Sequence, residues 1–323
     1  MSEQSQDPAP DRRSEGWERD VIKTLVEAAW VEQRRARRWG IFFKSLGFIY
    51  LFVVLAVAFG WFQGREGALT GKHTALVELR GVIEPDSMAS ADVVNTGLND
   101  AFEDKNTQGV VLRINSPGGS PVQAHQINQE IRRLRAKHPG IPLYVVVDDI
   151  CASGGYYVAA AADEIFVSRG SLVGSIGVLM DGFGFTGVMQ KLGVERRLLT
   201  AGENKGFLDP FSPMDAKQRG FAEQMLAEIH EQFIQVVKDG RGKRLTEDPI
   251  LFSGLFWTGD RSIKLGLADG LGDLPYVARE VIKAENIVDF TPKENLAERV
   301  AKRFGAALGE AMIKVAGAGG RLR

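Results

Sequence analysis

Between Lys44 and Arg65 the sequence carries no charged residue, and the run SLGFIYLFVVLAVAFGWFQG is long enough to cross a hydrocarbon core of about 30 Å as one helix. This stretch, residues 45–64, divides the 323-residue chain, because a lipid-spanning helix cannot also be part of a water-soluble core. A polar segment precedes it and no small-x-small cleavage site follows, so it reads as a retained transmembrane helix and not as a removed signal peptide. Arg34, Arg35, Arg37, Arg38 and Lys44 crowd the N-terminal flank, whereas the other flank carries only Arg65 and Lys72 with Glu66 between them. Positive charge stays on the cytoplasmic side. Residues 1–44 are therefore expected in the cytoplasm, and everything beyond about Gly64 on the periplasmic side of a bacterial inner membrane.

The flanking segments are simple. Residues 1–15 are polar and Pro-containing and are expected to be disordered, and from Trp17 to Trp30 apolar residues recur at helical spacing, which predicts an amphipathic helix. At the other end, residues 291–323 place Leu296, Val300, Phe304, Leu308 and Met312 on one face of a helical tail that would dock on a neighbouring subunit or on the bilayer. A net charge of -1, with no basic patch interleaved with aromatics, gives no reason to expect nucleic acid. Cys151 is the single cysteine, which excludes an intrachain disulfide and reads as a small buried residue. His73, His125, His138 and His230 lack the spacing of a metal site, and no metal or organic cofactor is implied.

The main body, residues 65–290, alternates strand and helix signals. His73–Glu84, Gly109–Ile114, Leu143–Val147 and Glu164–Val167 read as strands; 91–104, 122–137, 156–162 and 218–238 read as helices. In the last of these Phe221, Met225, Ile229, Phe233 and Val236 or Val237 are expected inward and His230 on the solvated face. Residues 257–274 are expected to be a helix closed by Gly266. Two strands run straight into glycine pairs, NSPGGS at 115–120 and ASGG at 152–155. Repeated β-α units with right-handed crossovers put such loops at one edge of a parallel sheet, facing one cleft. Ser153 then stands at a strand-turn-helix junction where free N–H groups favour developing negative charge, a position equally suited to an ordinary helix cap.

Five motifs in order, NSPGGS, ASGGYYVAAAAD (152–163), VGSIGV (173–178), the K-x-x-x-x-P-F-x-P-M pattern from Lys205 to Met214, and GLADGLGD (266–273), resemble the signal peptide peptidase A family in its short membrane-anchored form. The resemblance spans roughly residues 75–288. It implies an α/β fold of the Clp protease and crotonase type and a serine-lysine dyad, with Ser153 as nucleophile and Lys205 as base. It also implies a homo-oligomer in which the dyad is completed across a subunit boundary.

A lysine acts as a base only when neutral, and lowering its pKa from about 10.4 to about 7 requires roughly 4 kcal/mol of preference for the uncharged form. Burial among Phe207, Pro210, Phe211, Pro213 and Met214 is expected to supply that, provided Glu203 and Asp209 point away. Backbone N–H groups of Gly118 or Gly119 and of Gly154 are the expected oxyanion donors, and Ser175 is expected to orient Lys205. The function read from this is hydrolysis of hydrophobic peptides, in particular cleaved signal peptides. The alternatives are a sibling inner-membrane protease acting on proteins, a non-catalytic membrane scaffold with a peptidase fold, and an acyl-CoA enzyme of the crotonase type.

Overall fold

A computed structural model of the chain describes residues 12–58 and 71–293. The expectations for residues 1–11, for the end of the span at 59–64, for its flank at Arg65 and Glu66 and for the tail from Glu294 lie outside the described residues. What is described forms two units, an N-terminal helix and a body.

The helix α1, Arg12–Ala58, is continuous over 47 residues. The expected amphipathic helix and the first part of the span are therefore one element, and helix begins at Arg12, inside the segment expected to be disordered. No proline interrupts this run, and neither Gly40 nor Gly47 is enough to break a helix that the Leu-, Val- and Arg-rich flanks favour. Val21–Leu55 is long and apolar enough to cross a membrane. Trp39, Phe42 and Phe43 pack against one another just before the most apolar part, as an aromatic belt at a lipid interface does.

The body is built on one eight-stranded sheet. Strands β1 (His73–Arg80), β2 (Thr107–Ser116) and β3 (Leu143–Ala152) pair in parallel. Val110, Leu112, Ile114, Leu143 and Val145 are fully buried, which is why these segments read as continuous apolar runs without alternation. β3 then forks. Its first half pairs with β4 (Glu164–Val167) and its last residues with β5 (Leu172–Gly174), so that the chain around Ala152 has a neighbour on each side. The crossover helices α2 (Ala91–Glu103) and α3 (Pro121–Lys137) start at the caps Ser90 and Ser120, and α3 has a proline in its first turn, where the missing N–H costs nothing. Helices α4 (Gly154–Ala159), α5 (Thr186–Leu192) and α6 (Ala216–Arg241) follow.

Two expectations for the C-terminal half are corrected. Residues 257–274 are not one helix but a strand, β6 (Phe256–Thr258), a six-residue helix, α7 (Gly259–Lys264), and a short strand, β7 (Gly270–Leu271). Gly266 ends the helix in a left-handed conformation (φ +78°), and a Cβ there would lie 1.8 Å from the Arg244 carbonyl oxygen. Beyond it Asp269 turns inward and accepts both Nη1 and Nη2 of Arg241 at 2.8 Å. The Arg241 Nε–H donates to the Gly266 carbonyl, and Asp269 also accepts the Ile165 N–H. The GLADG run thus serves a buried arginine. On α6 the buried stripe is Ala222, Phe233, Val237 and Arg241, whereas Phe221 is 57% exposed. Phe233 and Val237 face inward as expected, and the difference lies at the start of the helix, where Ala222 takes the inner place expected of Phe221 on the side that the Arg241–Asp269 pair fixes. The last strand, β8 (Ile287–Asp289), closes the other edge against β1.

Burial works to raise the Asp269 pKa, but the hydrogen bonds and charge of Arg241 outweigh it and hold the carboxyl below its ordinary range. Replacing Asp269 by Ala leaves a buried, unpaired guanidinium and should cost about 3–5 kcal/mol in chemical denaturation. A carboxylate held below its unfolded value of about 3.9 stabilises the fold above that pH and gives up the contribution as pH falls through the folded value. The stability gap between wild type and Asp269→Asn should therefore be widest above about pH 4 and shrink below it.

Candidate active site

Ser153 follows the last residue of β3 and precedes the first of α4, with φ 50° and ψ -123°. That backbone is costly for any residue with a Cβ. It is held by its own N–H, which donates to the Gly174 carbonyl at 2.9 Å, and by its carbonyl, which accepts from Tyr157 N–H at 3.0 Å. The hydroxyl makes no cap hydrogen bond. Ser153 therefore occupies the place of a helix cap without doing a cap's work, and its Oγ faces a cleft of about 1090 Å³.

The first glycine loop closes on this turn. A Cβ on Gly118 would sit 2.7 Å from both the Gly154 nitrogen and the Ser153 Cβ, and one on Gly119 would sit 2.2 Å from the Ile83 carbonyl oxygen. Only glycine allows the approach. Ile83 fixes the loop from behind, donating its N–H to Gly118 O at 2.9 Å and accepting the Ser120 N–H at 2.8 Å. The Gly118 N–H is donated to Ser116 Oγ at 3.1 Å. The N–H groups of Gly119 and Gly154 have no acceptor among the described residues. Beneath the turn Cys151 is fully buried, and burial pushes its thiol far above the ordinary range, so it has no nucleophilic form to offer.

The structure does not bring Lys205 to Ser153 within one chain. Lys205 is exposed and does not line the cleft; it sits on an arm, residues 179–215, that adds no strand to the sheet and leaves Leu179, Phe183, Leu192 and Leu199 exposed. The apolar recess expected around it does not close over it in a single chain: Phe211 stacks on Phe185 and Phe207 meets Phe221 edge to face, while Lys205 stays exposed. Asp209 does point away, accepting Ser212 Oγ–H at 2.7 Å and Arg196 Nε–H at 3.3 Å, and these hold its carboxyl below the usual range. Ser175 also has positive φ (52°), and its N–H donates to Leu255 O at 2.8 Å. No bond joins its side chain to Lys205.

Sequence reasoning missed two histidines. His125 of α3 lines the cleft and contacts the Tyr157 hydroxyl at 2.9 Å. His230 of α6, expected on the solvated face, is half-buried, lines the same cleft and reaches the Ile176 carbonyl oxygen at 3.1 Å. The signal was present in the spacing, because His230 falls on the stripe that runs from Ala222 to Phe233, Val237 and Arg241.

Residues 135–288 match the model of Peptidase family S49. The chain is 50% identical over 177 residues to the Na(+)/H(+) antiporter NhaA of Brucella melitensis biotype 1, covering 55% of this chain and 24% of that protein. It is 30% identical over 196 residues to a protein of Enterococcus faecium named for signal peptide peptidase SppA, covering 61% of this chain and 56% of that one. It thus spans about a quarter and somewhat over half of the length of these two curated relatives. Among solved structures it is similar to a membrane-bound stomatin-specific protease in complex with a substrate peptide, with a TM-score of 0.41 and 16% identity over 64% of this chain and 78% of that one.

The strain at residue 153 is testable. Ser153→Gly relieves the positive φ and Ser153→Ala does not, so the glycine variant should be the more stable of the two by about 1 kcal/mol in denaturant titration. Equal stabilities would mean that the turn carries no strain.

Proposed function

We propose, from the match of residues 135–288 to the model of peptidase family S49, that this chain is a membrane-anchored serine endopeptidase in which Ser153 is the nucleophile and Lys205 of a neighbouring copy is the general base. The observation that carries this reading is the turn at Ser153: an uncapped hydroxyl on a strained backbone, beside two unengaged N–H groups, at the floor of a cleft lined mainly by apolar side chains. Strain of this kind persists where function requires it.

In the proposed reaction neutral Lys205 takes the Oγ proton as Ser153 attacks the peptide carbonyl carbon. The oxyanion accepts hydrogen bonds from the N–H groups of Gly119 and Gly154, which need no reorganisation to receive it. Gly118 is the weaker candidate donor, since its N–H is already given to Ser116. Collapse of the tetrahedral species breaks the C–N bond, Lys205 returns the proton to the leaving amine, and an ester on Ser153 remains. Lys205 then deprotonates water, which attacks the ester carbonyl; the C–Oγ bond breaks, Lys205 returns the proton to Ser153 Oγ and the acid is freed.

Lys205 has to be desolvated to be neutral, and a subunit boundary supplies what one chain does not. The arm that carries it exposes Leu199 at 96%, Leu179 at 80% and Phe183 at 79%, more apolar surface than a solitary domain usually leaves in water. Packing of that arm over the cleft of a second copy would bury the amine and bring it to Ser153, with the Ser175 hydroxyl as its orienting partner. Hydrophobic peptides suit such a cleft, and cleaved signal peptides left in the inner membrane are the substrates proposed. A single pass with residues 1–44 in the cytoplasm and the body in the periplasm would hold the cleft near them.

Ser153→Ala and Lys205→Ala should each reduce hydrolysis of an apolar fluorogenic peptide by several orders of magnitude. Mixed under conditions of subunit exchange, the two inactive proteins should recover part of the wild-type rate, because some boundaries then combine an intact serine with an intact lysine. Absence of recovery after demonstrated exchange would refute the shared dyad, and activity surviving in Ser153→Ala would refute the nucleophile.

A further inference from the structure

One wall of the cleft that Ser153 lines is made by residues 177–179, and the three residues that lead into it, 174–176, are tied by hydrogen bonds to different parts of the body. Gly174 O accepts the Ser153 N–H at 2.9 Å, Ser175 N–H donates to Leu255 O at 2.8 Å, and Ile176 O meets His230 Nε2 at 3.1 Å. The third tie is the one made by a side chain. Because a carbonyl oxygen only accepts, Nε2 must carry the proton, which both the imidazolium and one neutral tautomer provide. After Ile176 the described backbone makes no hydrogen bond back to the body until Phe185 N–H reaches Pro210 O within the arm itself. His230 is thus the last polar anchor before the chain leaves for the exposed arm. Gly177, Val178 and Leu179, which line the cleft, follow it directly.

We infer that His230 is a positioning residue for peptide binding: its Nε2–H, held by α6 and donated to Ile176 O, fixes the wall at residues 177–179 against which an apolar peptide lies beside Ser153. This inference rests on the peptidase reading for its substrate but not for its geometry. The imidazole stays half-buried between α6 and the wall, where water competes poorly for the bond. Without the donor, the Ile176 carbonyl loses its partner and the wall keeps only ties that lie upstream of the lining residues. The loss falls on binding of the peptide more than on the bond-breaking step, because neither reacting atom touches His230.

The test uses the full chain in detergent and two readouts: KM and kcat for an apolar fluorogenic peptide, and Kd for a labelled apolar peptide measured on the Ser153→Ala background, which needs no catalysis. His230→Ala should raise both KM and Kd roughly fivefold, the effect of one net hydrogen bond, with a smaller change in kcat. His230→Gln, which keeps an N–H donor, should recover most of that loss, whereas His230→Phe, which fills the space without a donor, should not. A phenylalanine variant that binds like wild type, or an alanine variant with unchanged Kd, overturns the inference; if the alanine variant fails to fold, the glutamine and phenylalanine pair decides. Failure of wild type to hydrolyse any peptide would refute the peptidase reading instead, and the binding measurement would still report on His230.

Discussion

The geometry of this protein depends on a backbone contact that no side chain could occupy. Gly118 lies against the Ser153–Gly154 turn, and Gly119 against Ile83, so closely that a methyl group on either would overlap main-chain atoms. Such contact is possible only because β1, β2 and β3 run parallel in register, so the loops leaving β2 and β3 emerge at the same edge. Ile83, just past β1, then bridges to Gly119 and presses the first loop onto the second. Three successive strands therefore converge on two amide groups and one hydroxyl. The fork in β3 completes the arrangement, since the pairing of its final residues with β5 delivers the Gly174 carbonyl that holds Ser153 in its unfavourable conformation.

Burial is distributed unevenly around this point. Below it lie Cys151, Tyr156 and the apolar sheet face, all closed to water. A buried ion pair, Arg241 with Asp269, fixes the roll of α6 and so bears on which of its residues meet the cleft. Above it the chain opens into an arm whose aromatic and aliphatic side chains face solvent, and Lys205 is among them. An ammonium in water stays charged, so the base proposed for this site exists only where something covers it. The separation of a preorganised serine from an unburied lysine makes assembly part of the proposed chemistry, which would confine activity to places where copies meet.

Much of this architecture is legible in the amino-acid sequence. Charge-free length predicts a helix able to span a membrane, apolar runs predict the buried strands, and glycine pairs after strands predict two loops on one cleft. These readings are reliable because each depends on neighbours in sequence: periodicity, propensity and the φ freedom of glycine are local properties. What sequence does not decide is which way an amphipathic helix faces when two faces compete. Phe221 and His230 exchange their expected roles because a carboxylate some thirty residues downstream captures Arg241, and no local rule weighs a partner so far along the chain. The GLADG segment, expected as helix, belongs to the same class, being shaped by the guanidinium it surrounds. So the sequence alone determined the parallel strands, the long apolar N-terminal helix and the serine turn, since short-range sterics and hydrophobic spacing suffice for them. Tertiary structure alone decided the inner face of α6, the histidine that ties the cleft wall, and the exposure of Lys205, because burial and ion pairing are set by residues that meet only when the chain is folded.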